Sequence, residues 1–135
     1  MGPIVKAAVK HDAAARKTRV ALDAFFRLVD FWGLDTQQAM TLLGVTSRST
    51  YMSWKARTPA KLAPDTMERI SYLLGTHKAL RILFSRDEQS VRDWVKAPNS
   101  NPLFGNKSAL DRMLSGRVAD LYEVRRFLDA QRGGW

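Results

Sequence analysis

The chain contains no cysteine. That excludes a disulfide framework, a cysteine-bound zinc and a thiol nucleophile. Histidine is scarce: His11 and His77 are too few and too far apart to suggest a metal cluster. Acidic residues are in short supply, 13 against 22 Lys and Arg, which leaves a formal charge of +9. No apolar run approaches the ~18 residues of a membrane span. Lys6, Lys10, Arg16, Lys17 and Arg19 interrupt any secretory leader at the N-terminus. A cytoplasmic protein with no membrane partner is the expectation. Enzyme signatures are missing as well. There is no Gly-rich phosphate loop, no GxSxG elbow and no His–acid pair at ligand spacing. Asp87 and Glu88 are adjacent, and neighbours on a helix do not face each other. No catalytic residue, metal ligand or cofactor is expected.

What is present is enough for an ordinary domain. A chain of 135 residues can bury roughly two thirds of its unfolded surface without a staple. The surplus of cations draws it to polyanions, nucleic acid first among them, although a merely soluble basic protein has the same composition.

Periodicity reads as all-α. Leu22, Phe25, Phe26, Val29, Phe31 and Trp32 recur at helical spacing and predict a buried first helix stopped by Gly33. Residues 1–17 before it are Ala-rich and basic, a mobile arm or a frayed helix. Asp35-Thr-Gln-Gln38 has the form of a capping box, and Gly44 closes the short helix it opens. Thr46 and Ser47 can cap a second short helix running to about Ala56. Prolines 59 and 64 bound a loop. A longer helix follows from Asp65 to Phe84, with Gly75 as a point where it can break. Ser85-Arg-Asp-Glu88 reads as another capping box, and Pro98-Asn-Ser-Asn-Pro102 as the strongest loop signal. Ser108 caps a helix stopped by Gly116. A last helix carries Val118, Leu121, Val124 and Leu128 and ends at Gly133. Two helical modules result, about 18–84 and 85–135. In the second, Trp94 reads as core beside Val91 and Val95, and Phe104-Gly105 as the point where the loop tucks under the helices.

Two short helices joined by Gly44-Val45-Thr46 have the shape of a helix-turn-helix. A recognition helix enters the major groove by its N-terminal end, which therefore needs small hydroxyl residues and Arg, while its other face packs inward. Ser47, Arg48, Ser49, Thr50, Met52 and Ser53 fit the outward role; Tyr51 and Trp54 fit the inward one. Residues 41–64 carry Arg48, Lys55, Arg57 and Lys61 and no acid. Arg48 suits a bidentate contact to guanine, and Lys55, Arg57 and Lys61 suit phosphates. A plain αα-hairpin in a bundle is the competing reading. Met40 favours it, standing where the motif usually has a small residue, as does the long Gly44-to-Trp54 spacing. The cluster Phe25, Phe26, Phe31 and Trp32 suits either a core or a subunit contact.

The segment from Trp94 to Trp135 resembles the toxin-binding domain of the Xre/MbcA/ParS antitoxins. Trp94, Pro98-Asn99, Pro102-Leu103-Phe104-Gly105, Ser108-Ala109-Leu110-Asp111, Gly116 and the Leu128-to-Trp135 end carry the likeness. Upstream, Ser49-Thr50-Tyr51, Trp54 and Glu68 to Gly75 resemble the Xre-like helix-turn-helix of the same family, in which the long spacing is a habit. The likeness covers about residues 20–135. It implies a homodimeric antitoxin of a type II toxin–antitoxin pair. Its partner would be a RES-domain toxin that consumes NAD or uses it for ADP-ribosylation, inhibited by obstruction of its pocket. The helix-turn-helix would bind operator DNA and repress its own operon. On the last helix, Arg125, Arg126, Asp129, Gln131 and Arg132 crowd the face opposite the apolar seam, and Gly133-Gly134-Trp135 follow. Two glycines permit close backbone approach and Trp is a strong pocket filler; equally, Gly133 can cap the helix while Trp135 folds back on the core. A stand-alone regulator whose C-terminal module only dimerises is the alternative.

Overall fold

The computed structural model describes residues 3–133, with side chains from Asp12 onward. Seven helices and no β-strand are present among them. α1 spans Pro3–Trp32, α2 Thr36–Leu43, α3 Arg48–Ala56, α4 Pro64–Leu83, α5 Glu88–Lys96, α6 Ala109–Met113 and α7 Val118–Gln131. No helix among the described residues is long and apolar enough to cross a membrane.

Local chemistry sets most boundaries. Residues 3–17 are helical and continuous with the rest of α1. Asp35 caps α2 through the Gln38 amide and Gln38 returns the bond, completing the box. Ser47 caps α3 through the Thr50 amide. Ser108 and Asp111 form a second reciprocal box at α6. Two expectations need correction. Gly75 does not break α4, which runs unbroken from Pro64 to Leu83. Nor does Ser85 cap α5: the cap is Asp87, whose side chain accepts from the Ser90 amide. Ser85 and Arg86 instead take left-handed backbone conformations, φ 48° and 65°. They turn the chain out of α4, and only the next residue regains the extended backbone a cap requires.

α4 is the central beam. It packs against α7 most extensively, and against α1, α2 and α5 as well. The core is continuous across both modules. Leu22, Phe25 and Trp32 of α1, Leu42 and Leu43 of α2, Tyr51 of α3, Ile70, Leu73 and Leu80 of α4, and Leu121 and Leu128 of α7 are all essentially inaccessible. Each aliphatic side chain buried this completely contributes roughly 1.5–3 kcal/mol. The Phe25–Trp32 cluster therefore serves the core, with Phe26 and Phe31 half-buried at its edges. Two basic side chains of α5 fasten the second module to the first. Arg92 Nε donates to the Phe31 carbonyl at 3.1 Å and Lys96 Nζ to the Gly33 carbonyl at 2.9 Å. Both cations sit at the C-terminal end of α1, where unpaired carbonyls and the helix dipole favour them.

The Asn/Pro loop holds itself. Asn99 Oδ1 accepts from the Asn101 amide and Asn101 Oδ1 from the Leu103 amide. Asparagine side chains thus replace the partners that a helix or sheet would supply. Phe104 tucks beneath the loop, buried, and packs edge-on against both Trp94 and Phe127, which stack on each other.

Candidate functional site

The α2–α3 pair is built around a left-handed Gly44, φ 71°, whose amide donates back to the carbonyls of Met40 and Thr41. Arg69 of α4 fills the space a side chain at Gly44 would need. An added Cβ would lie 2.9 Å from its guanidinium carbon. Arg69 is itself buried, paired with Asp65 at 2.8 Å and reaching the Leu42 carbonyl at 3.5 Å. A buried cation thus sits at the C-terminus of α2, where the dipole favours it, and fixes the turn that aims α3. Sequence reasoning missed Arg69. The signal that could have found it was an Arg–Asp pair at i,i+4 one helix away from the turn glycine.

α3 presents the expected face. Ser47, Arg48, Ser49 and Thr50 are exposed, and Tyr51 is buried against α1, edge-on to Phe26. Burial, with Asp30 nearby, raises the Tyr51 hydroxyl above its ordinary pKa, so it stays neutral. Trp54 is half-buried on the inward side, and Met52 is exposed. Ser53 is half-buried, its hydroxyl donating to the Thr50 carbonyl at 2.7 Å. Arg57 and Lys61 are exposed at the far end of α3 and in the following loop. Lys55 is placed differently from its neighbours: its ammonium lies over the rings of Tyr51 and Phe26, 5.4 and 5.8 Å from their centroids. It is thus turned onto α1.

Six residues beyond Arg69 along α4, α7 lays Arg125 across that helix. Gly75 makes this possible, because a Cβ there would come within 2.6 Å of the guanidinium. Arg125 pairs with Asp129 at 3.6 Å, and Asp129 with Arg132 at 3.4 Å. Arg126 and Gln131 are exposed beyond them. Tyr72 and Tyr122 meet edge-on beside Arg125, and together with Arg126 and Asp129 they line a shallow depression of about 250 Å³. Tyr72 donates to Glu68 at 2.8 Å, a bond that holds the phenol protonated above its ordinary range. Gly133 closes α7 in a left-handed conformation, φ 66°. Gly134 and Trp135 lie outside the described residues.

Residues 12–75 match the family model described as the antitoxin Xre-like helix-turn-helix domain, and residues 79–134 match that of the antitoxin Xre/MbcA/ParS C-terminal toxin-binding domain. The chain belongs to the Xre/MbcA/ParS antitoxins. It is also 50% identical over 113 residues to the uncharacterized protein y4oB of Sinorhizobium fredii, the match covering 84% of each chain. The two domains of the antitoxin meet between residues 75 and 79, inside α4. One helix therefore carries both Arg69 under the helix-turn-helix and Gly75 under Arg125. Membership implies DNA as one partner and a toxin as the other.

The tyrosine pair was not legible as a site in the sequence, because Tyr72 and Tyr122 lie on different helices and neither belongs to a motif. Gly75→Ala tests the α4–α7 arrangement. Alanine favours a mid-helix position by up to about 1 kcal/mol, and the atom it displaces is the tip of a flexible side chain. The antitoxin is expected to keep or gain thermal stability while Arg125 is dislodged. Calorimetry together with toxin-binding titration would show stability maintained and toxin affinity reduced.

Proposed function

We propose that this antitoxin neutralises a RES-domain toxin that uses NAD, and that it represses its own operon by binding operator DNA as a homodimer. Neutralisation is steric. The outer row of α7, with the half-buried Arg125 and Asp129 and the exposed Gln131 and Arg132, and the following Gly133, Gly134 and Trp135 cover the mouth of the toxin's pocket. The antitoxin contributes no chemistry of its own. One observation supports the pairing of roles most directly: the faces on α3 and on α7 belong to different helices of a single packed unit, in which α4 meets both the α2–α3 turn and α7. DNA and toxin can then be held together.

At the DNA, Ser47, Arg48, Ser49 and Thr50 face the groove from the capped start of α3, and Arg57 and Lys61 meet phosphates. Arg48→Ala is expected to relax base preference at one position and cost about 1–3 kcal/mol. Lys61→Ala is expected to weaken all sequences alike and reduce the salt slope by about one. A gel shift on the promoter of its own operon, across salt concentrations, measures both. Absence of any shift by the wild-type chain at low salt would contradict repression. A RES-type reading frame beside the gene separates the antitoxin from a stand-alone regulator.

A further inference from the structure

We infer that the half-open cavity between α1, α4 and α5 is a binding site for a small organic phosphate of about nucleoside-phosphate size. The cavity holds about 350 Å³ and opens onto a second depression that shares Leu74, His77, Arg81 and Arg86 with it. That volume lies within the range of ligand pockets and exceeds what a bare phosphate needs. Its wall is divided in the way such a ligand requires. Leu28, Phe31 and Val91 supply an apolar side, and Arg27, Arg81 and Arg86 supply cations against Glu88 alone. Lys78 joins them from the adjoining depression.

These cations lack partners that would explain their gathering. None of Arg27, Lys78, Arg81 and Arg86 forms an ion pair within the molecule among the described residues. All four are solvent-exposed, so their mutual repulsion is screened and their charges are free to meet an anion. His77 adds an independent observation. Its Nδ1 is buried without a hydrogen-bond partner, a state that carries a desolvation penalty until a partner arrives. Burial and the neighbouring Arg81 push the imidazole pKa down, so the ring is neutral at pH 7 and offers one donor and one acceptor. Arg86 reaches the site from a left-handed backbone, φ 65°, a conformation an arginine rarely adopts. The site lies where the DNA-binding domain meets the toxin-binding domain, on faces used by neither α3 nor the outer row of α7.

Titration calorimetry of the full-length protein with ADP, pyrophosphate and adenosine tests the assignment. ADP is expected to bind saturably with a Kd between about 10 μM and 1 mM, more weakly as salt rises. Pyrophosphate should bind less tightly and adenosine not measurably. His77 ring resonances should move on adding ADP. Arg81→Ala and Arg86→Gly should each weaken ADP about tenfold; glycine at 86 removes the cation while suiting the left-handed backbone. Circular dichroism confirms that both variants fold, and their operator affinity should equal that of wild type. No saturable binding of ADP overturns the proposal. So does equal affinity for pyrophosphate, which would leave an inorganic anion site only. Loss of operator affinity in both variants, with no ADP binding by wild type, would assign the cations to DNA phosphates instead.

Discussion

Asp120→Ala should destabilise the antitoxin by about 3 kcal/mol and abolish toxin binding at temperatures where the wild type still binds. Asp120 is buried at the start of α7 and joins the elements that shape the toxin-binding domain. Its carboxylate accepts from the Ser115 hydroxyl and pairs with Arg112 at 3.1 Å and Arg117 at 3.2 Å. Arg112 in turn donates to the Leu103 carbonyl at 2.7 Å, so the same network anchors the Asn/Pro loop. Removing the carboxylate strands donors that the fold has already desolvated. Breaking a buried pair costs about 3–5 kcal/mol, and the low end applies because the Arg117 side chain is 78% exposed and contributes little through its charge.

The same residue sets an acid limit. The Ser115 hydrogen bond first, and then Arg112 and Arg117, hold the Asp120 carboxyl below its ordinary 3.8 against the opposing effect of burial. The unfolded chain therefore binds this proton more readily than the folded one. The stabilisation is fully present above about pH 5 and is lost as pH falls below 3.8 through the folded-state value. Urea unfolding should show wild type and Asp120→Asn well separated at pH 7 and converging toward pH 3. A constant gap across that range would remove Asp120 from the hub.

The second large effect is expected at Gly44. Gly44→Ala places a Cβ on a left-handed residue, which costs about 1–2 kcal/mol, and drives it to 2.9 Å from the Arg69 guanidinium carbon. Arg69 cannot yield freely, because Asp65 and the Leu42 carbonyl hold it in a buried position. The combined cost should be about 2–4 kcal/mol. Operator affinity should fall further than global stability alone would explain, since the displaced turn re-aims α3. Gly44→Asn separates the contributions: asparagine tolerates the left-handed backbone but keeps the collision. A variant that recovers operator binding completely with Asn would show that Arg69 plays no part in aiming α3.

Elements whose ends are fixed by local chemistry were legible in the sequence. Asp35 with Gln38, Ser47 and Ser108 cap the helices they were expected to cap, and Gly44 closes α2, because these signals act over three or four residues. The failures are equally physical. Gly75 looked like a breaker, yet its missing side chain admits Arg125 from α7, a contact between residues fifty positions apart. Ser85 looked like a cap, yet the turn leaving α4 claims it and passes the role to Asp87. For the candidate site, the outward row of α3 could be read from spacing alone. The α4 contribution to both faces, through Arg69, Tyr72 and Gly75, could not, because no local pattern marks a helix as the brace between two others.

The measurement that bears most directly on occlusion is NAD turnover by the co-purified toxin, with wild-type antitoxin and with a chain truncated after Arg132. Intact antitoxin should hold turnover at background, and the truncated chain should restore it while circular dichroism shows the helices preserved. Full inhibition by the truncated chain, or NAD turnover by the antitoxin alone, would contradict the proposed mechanism.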